Sequence, residues 1–292
     1  MAIKHNLLSH VDKGDDGGGQ SLPKILFLLF VSLVSAGSSG WFLQKLFEET
    51  SLMNLVFFLV SSGVFLGWFL VSALFIQDTI WILGGCLLSF AALLSFNYEN
   101  FSVGVLASGL MAGTVFFLGA LEVRRDSSSL IKIRFFRLAR VFLAPALISF
   151  SLVCVSAFYF ANSGGELVLS SSSFAKLIQP VESLVKGFFP SFSLDQSVGG
   201  AASILGVGSG DTFGDILYKV LVKDLAESDT PPLRYLPGLI LIFSGFLLVR
   251  SFSIPFGWGV SLVSHLFYIS LLALNFASIQ LESTDREVIV MK

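Results

Sequence analysis

Apolar residues gather into seven runs along the chain, at positions 24–43, 52–76, 80–96, 101–121, 141–161, 235–251 and 256–280. These lengths lie near the roughly 20 residues that a helix needs to cross the hydrocarbon of a bilayer. Short polar breaks punctuate them. Gln77-Asp78-Thr79 reads as a turn whose Asp78 caps the next helix, weighed against a carboxylate at the mouth of a pore. Ser253 to Gly257, with Pro255, reads as a tight turn between the last two runs, and Pro237 falls in the first turn of the sixth. Val34-Ser35-Ala36 is similar to the small-residue end of a signal peptide, but apolar residues resume at Trp41, which favours an uncleaved anchor.

The longer polar segments carry the charge pattern. Residues 1–23 contain Asp15, Asp16 and three consecutive glycines and read as a disordered tail. Residues 122–140 form the one strongly basic loop, with Arg124, Arg125, Lys132, Arg134, Arg137 and Arg140. Cytoplasmic loops retain Lys and Arg, so this loop predicts an inner face, a cytoplasmic amino terminus and an extracytoplasmic carboxyl terminus after seven spans. Ser127 to Ser129 read as the cap of an amphipathic helix with Ile131, Phe135 and Leu138 on one side, lying in the headgroup plane against acidic lipids. Residues 162–234 read as a small extracytoplasmic domain of three helices, and residues 281–292 as an extracytoplasmic tail. At this size such a domain is marginal alone and is expected to rest on the membrane part or a partner.

Composition agrees with the runs. The chain is 54% hydrophobic and 13% charged, too apolar for an ordinary soluble globule, with a mean hydropathy of +0.83. The fold class expected is therefore all-α: a polytopic transmembrane bundle of domains 24–161 and 235–280, with the 162–234 insert between spans five and six. A net charge of -2, with cations segregated to one predicted face, implies no nucleic-acid partner. Cys86 and Cys154 lie inside apolar runs and read as small buried hydrophobes instead of a disulfide or metal ligands. Asn100-Phe101-Ser102 abuts a span and the exported insert lacks a sequon, which points to a prokaryotic plasma membrane.

Candidate chemistry is sparse. Gly206 to Asp211 lacks the Lys-Ser/Thr ending of a phosphate-binding loop and follows no recognisable strand. Gly208-Ser209-Gly210-Asp211 resembles the GxGD of intramembrane aspartyl proteases, and Pro145-Ala146-Leu147 their PAL tripeptide. The resemblance implies a second aspartate in an earlier span, since two carboxylates share the proton that activates water. No earlier run contains one, and the tripeptide precedes the GxGD instead of following it. His265 is the only histidine inside an apolar run, and a proton-relay reading competes with one in which it hydrogen-bonds a neighbouring helix. Gly63 with Gly67, and Gly109 with Gly113, have the spacing that lets helix backbones approach closely.

No catalytic, cofactor or metal constellation is complete. The expectation is a non-enzymatic membrane scaffold or assembly component, binding a protein partner or a second copy through its exported insert and basic loop. The alternative is a small-molecule or ion transporter with a site near His265.

Overall fold

A computed structural model describes residues 21–49, 51–96, 102–129, 134–163, 231–282 and 286–291, together with Phe174, Leu177, Tyr218 and Val222. Six long helices are described: α1 (Leu22–Glu48), α2 (Leu52–Phe75), α3 (Thr79–Ser95), α4 (Val103–Ser129), α5 (Phe135–Ser163) and α6 (Pro231–Ala273). An antiparallel hairpin follows, β1 (Ala277–Glu282) paired with β2 (Arg286–Met291). Five of the helices are long and apolar enough to cross a membrane, and the 17-residue α3 is a shorter apolar helix.

Local chemistry starts these helices where it should. Pro23 occupies the first turn of α1, where its missing N–H costs no hydrogen bond. Ser51 accepts from the Asn54 amide at 3.2 Å to cap α2, and Asp78 accepts from the Ile80 amide at 3.0 Å to cap α3. The core that joins the helices is aromatic. Phe116 of α4 is fully buried, with ring centroids at 4.7 Å from Phe69, 5.2 Å from Phe90, 5.3 Å from Phe142 and 6.0 Å from Phe65. Four helices thus meet around one ring, in edge-to-face and stacked geometries that aromatic pairs prefer.

Many buried hydroxyls are absorbed by the helices themselves, although those of Ser62, Ser89 and Ser163 meet no partner among the described residues. Ser32, Ser39, Ser72 and Ser264 return their hydroxyls to carbonyls one turn back, and the Trp68 indole donates to the Leu28 carbonyl at 3.0 Å. With no water in hydrocarbon, such internal pairing is what lets hydroxyls sit inside a membrane bundle.

The carboxyl-terminal third departs from the sequence reading. Residues 235–280 were expected as two spans joined by a turn at Ser253 to Gly257; the structure has the single 43-residue helix α6, with Pro237 and Pro255 inside it. Pro255 removes only the hydrogen bond to Ser251 O, a loss that a helix held on both sides of it can carry. On the amino-terminal side of that proline Ser251 donates to Leu247 O at 2.9 Å and Ser253 to Arg250 O at 2.6 Å. The helix stops at Ala273 instead of Gln280, because Asn275 takes a left-handed conformation (φ 55°). The Asn275 amide then bonds Leu272 O at 3.1 Å and the Phe276 amide bonds Leu271 O at 3.0 Å, which closes a Schellman motif.

Removing one crossing reverses the position of the carboxyl end. Gly245 faces Val155, Gly257 faces Leu147 and His265 faces Phe135, so α6 runs antiparallel beside α5. Gly67 faces Ser264 and Phe75 stacks on Tyr268, so it runs parallel to α2. Lys24 Nζ donates to Phe276 O at 3.0 Å, placing the chain beyond α6 beside the start of α1. Residue 276 and the amino-terminal end of α1 therefore share one end of the bundle, where seven alternating spans would have put them at opposite ends.

The basic loop is also shorter than expected. α4 continues through Ser129 and α5 begins at Phe135, because nothing in Glu122 to Ser129 breaks a helix and arginine favours one. Ser127 donates back to Arg124 O at 2.8 Å instead of capping a new helix, and Phe135 and Leu138 are buried in the bundle instead of lying on a membrane surface. The tail 1–20, Lys132, Gly206 to Asp211 and most of the 162–234 insert lie outside the described residues. Within that insert Phe174 and Val222 are buried, and Phe174 meets Tyr218 at 5.6 Å.

Candidate functional site

The cations fall into two settings. At the end of the bundle shared by Lys24 and Phe276, Arg124 donates to the Thr79 hydroxyl and Arg137 Nε lies 3.4 Å from Asp126 Oδ2. Arg125 also engages its surroundings. Arg134 is exposed, and its carbonyl accepts from the amides of Arg137 and Leu138 at 3.0 and 3.2 Å as α5 begins. These contacts tie α3, α4 and α5 together at one rim.

Arg140 and Arg250 differ. Both line a groove of about 430 Å³ between α5 and α6, walled by Leu143, Leu147, Ile254 and Trp258 and edged by Ser253 and Ser261. Among the described residues no acidic side chain lines it. The sequence reading put Arg250 at the inner membrane face, beside a turn that does not form. Instead it sits between the Gly245–Val155 and Gly257–Leu147 contacts, level with the middle of α5. Arg250 is half-buried and donates from Nη1 to Ser253 Oγ at 3.1 Å. Arg140, one turn into α5 from the basic rim, is exposed and pairs with no described residue. Bringing these two arginines to one groove required knowing that α6 is unbroken, which composition alone does not reveal.

His265 sits elsewhere. Its ring lies 4.8 Å from Phe136, 5.1 Å from Phe135 and 6.5 Å from Tyr268, and its Nδ1 is buried without a hydrogen-bond partner among the described residues. It lines neither this groove nor a second, apolar cavity of about 340 Å³ beside Phe27, Trp68 and Phe276.

The glycines lie at helix crossings. A Cβ at Gly63 would meet Phe256 at 3.8 Å and one at Gly67 would meet Ser264 Oγ at 3.0 Å, both across the α2–α6 contact. Gly109 faces Leu94 at 2.7 Å and Gly113 faces Phe90 at 4.0 Å, across α3–α4. Among the described glycines, the closest approach to another helix's backbone is one the sequence reading passed over: a Cβ at Gly40 of α1 would fall on the Leu93 backbone of α3. Pro145, from the tripeptide similar to the protease motif, packs its ring against Gly119 of α4. Cys86 and Cys154 are free and buried, and Cys86 Sγ lies 3.4 Å from Gly113 O. Among the described residues no three His, Cys, Asp or Glu side chains gather as a metal site would need.

No family model, no curated protein and no solved structure matches this chain.

Proposed function

We propose that this protein is a multi-pass integral membrane scaffold or assembly component with no catalytic reaction of its own. The bundle crosses the membrane six times in this reading, with the basic rim, the amino terminus and the carboxyl-terminal hairpin on the cytoplasmic side of a prokaryotic plasma membrane. The 162–234 insert is extracytoplasmic, and acidic lipids at the inner face pair with the rim arginines.

The observation that supports this reading is the filled axis of the bundle. Phe65, Phe69, Phe90, Phe116 and Phe142 occupy the centre where a pathway through the helices would run. His265 meets aromatic rings instead of a polar cavity, which supports packing over a proton relay. Helix α6 supplies a surface for partners: Leu239, Ile240, Phe243, Leu247 and Leu248 are exposed along it, and only 6% of its most apolar window is buried. As a straight helix its 43 residues extend about 64 Å, roughly twice a hydrocarbon core of about 30 Å. The excess favours a partner, a second copy or the insert as cover for its amino-terminal part.

Affinity purification of the full chain in mild detergent tests the proposal. Stoichiometric co-purification of another membrane protein, lost when Leu239, Phe243 and Leu247 are changed together to Ser, is the expected result. A chain that purifies alone and carries a flux in proteoliposomes would overturn it in favour of a transporter.

A further inference from the structure

We infer that the groove between α5 and α6 is a binding site for one anionic phospholipid, whose phosphate is held below the ordinary headgroup plane by Arg140 and Arg250. Cationic rim residues attract acidic lipids diffusely, as any basic loop does. Arg250 is of another kind. It lies level with the middle of α5, a helix of 29 residues and about 43 Å. An ionised side chain at that depth is costly unless something pairs with it. Its one described partner is the neutral Ser253 hydroxyl.

The groove supplies the rest of the chemistry. Arg140 enters from the rim side, about 15 Å away along the axis if it is compared with the α5 residue opposite Arg250. Long side chains bridge such a gap by leaning towards one cavity, and both arginines line the same space of about 430 Å³. Guanidinium forks match phosphate oxygens in pairs, which a single ammonium does not. Leu147 forms an apolar wall and Trp258, 74% exposed, stands at the lipid-facing side, where acyl chains would leave. Two positive charges, no acid and an apolar side open to hydrocarbon describe an anionic amphiphile better than a soluble anion. A zwitterionic lipid brings its own cation, which the arginines repel.

Native mass spectrometry of the full-length protein in mild detergent, titrated with dioleoyl phosphatidylglycerol or dioleoyl phosphatidylcholine, tests this. The expected result is retention of one phosphatidylglycerol at least about tenfold tighter than phosphatidylcholine. Arg140→Gln and Arg250→Gln should each weaken it about tenfold, and Lys45→Gln, at a cation paired with Glu48 at the far end of α1, should leave it unchanged. Should Arg250→Gln fail to fold, Ala144→Trp fills the groove from an exposed position with both arginines intact and should abolish the preference equally. Equal retention of the two lipids, or equal losses for Lys45→Gln and Arg250→Gln, would overturn the site. Displacement of the lipid by inorganic phosphate at matched concentration would do so too, by showing a soluble anion as the occupant.

Discussion

Lys24 and Phe276, 252 positions apart, are joined at the rim of the bundle: the ammonium donates to the carbonyl at 3.0 Å and lies 5.0 Å from the centre of the same residue's ring. The ring of Phe276 in turn lies 5.9 Å from Phe27. A charge-assisted hydrogen bond, a cation–π contact and an aromatic contact thus fasten the chain after α6 to the first turns of α1. This clasp holds the start of the carboxyl-terminal hairpin at the end of the bundle where α1 begins.

The turn that feeds the clasp depends on Asn275. Its positive φ is tolerated by asparagine and glycine but strained for a β-branched residue. Asn275→Gly should leave stability within about 0.5 kcal/mol, and Asn275→Val should lower it by about 1–2 kcal/mol. Thermal unfolding in detergent, followed by a thiol-reactive dye on the buried Cys86 and Cys154, reads both.

Gly40 marks the closest approach of a described glycine to the backbone of another helix. Its missing Cβ leaves room for the Leu93 backbone, which cannot rotate away as a side chain would. Gly40→Ala should destabilise the fold by about 1–3 kcal/mol, whereas Gly84→Ala, with nothing within 4 Å of its Cβ, should be neutral. The same dye assay separates the two, and equal midpoints would remove the α1–α3 contact from the account.

Much of this was legible in the chain. Apolar runs located α1 to α5, and Asp78 announced the start of α3 through its carboxylate. The errors came from signals with two physical meanings. Pro255 near Arg250 resembles a turn, yet a proline removes a single backbone hydrogen bond and the helix runs on through it; Asn275 was readable as a stop but lies within an apolar run. Gly40 belongs to no pair at the spacing used to find Gly63 with Gly67. The groove was illegible because Arg140 and Arg250 come together only through the antiparallel packing of α5 on α6.

His265 gives a sharper test of the transport alternative. Its buried Nδ1 has no partner among the described residues, and an unmet polar atom costs about 1–3 kcal/mol. His265→Phe should therefore leave stability unchanged or raise it by about 1 kcal/mol, with partner capture intact. A loss of a measured flux in that variant would make the histidine part of a relay.

The most direct test of the account is the side of the membrane on which each end lies. Single cysteines introduced as Glu48→Cys, Arg134→Cys and Glu287→Cys can be labelled in intact cells with a membrane-impermeant thiol reagent, while the buried Cys86 and Cys154 stay silent. The account predicts labelling at position 48 in intact cells, and at positions 134 and 287 only after lysis. Labelling of 287 from outside with 134 protected would contradict the single crossing of α6 and the clasp between Lys24 and Phe276.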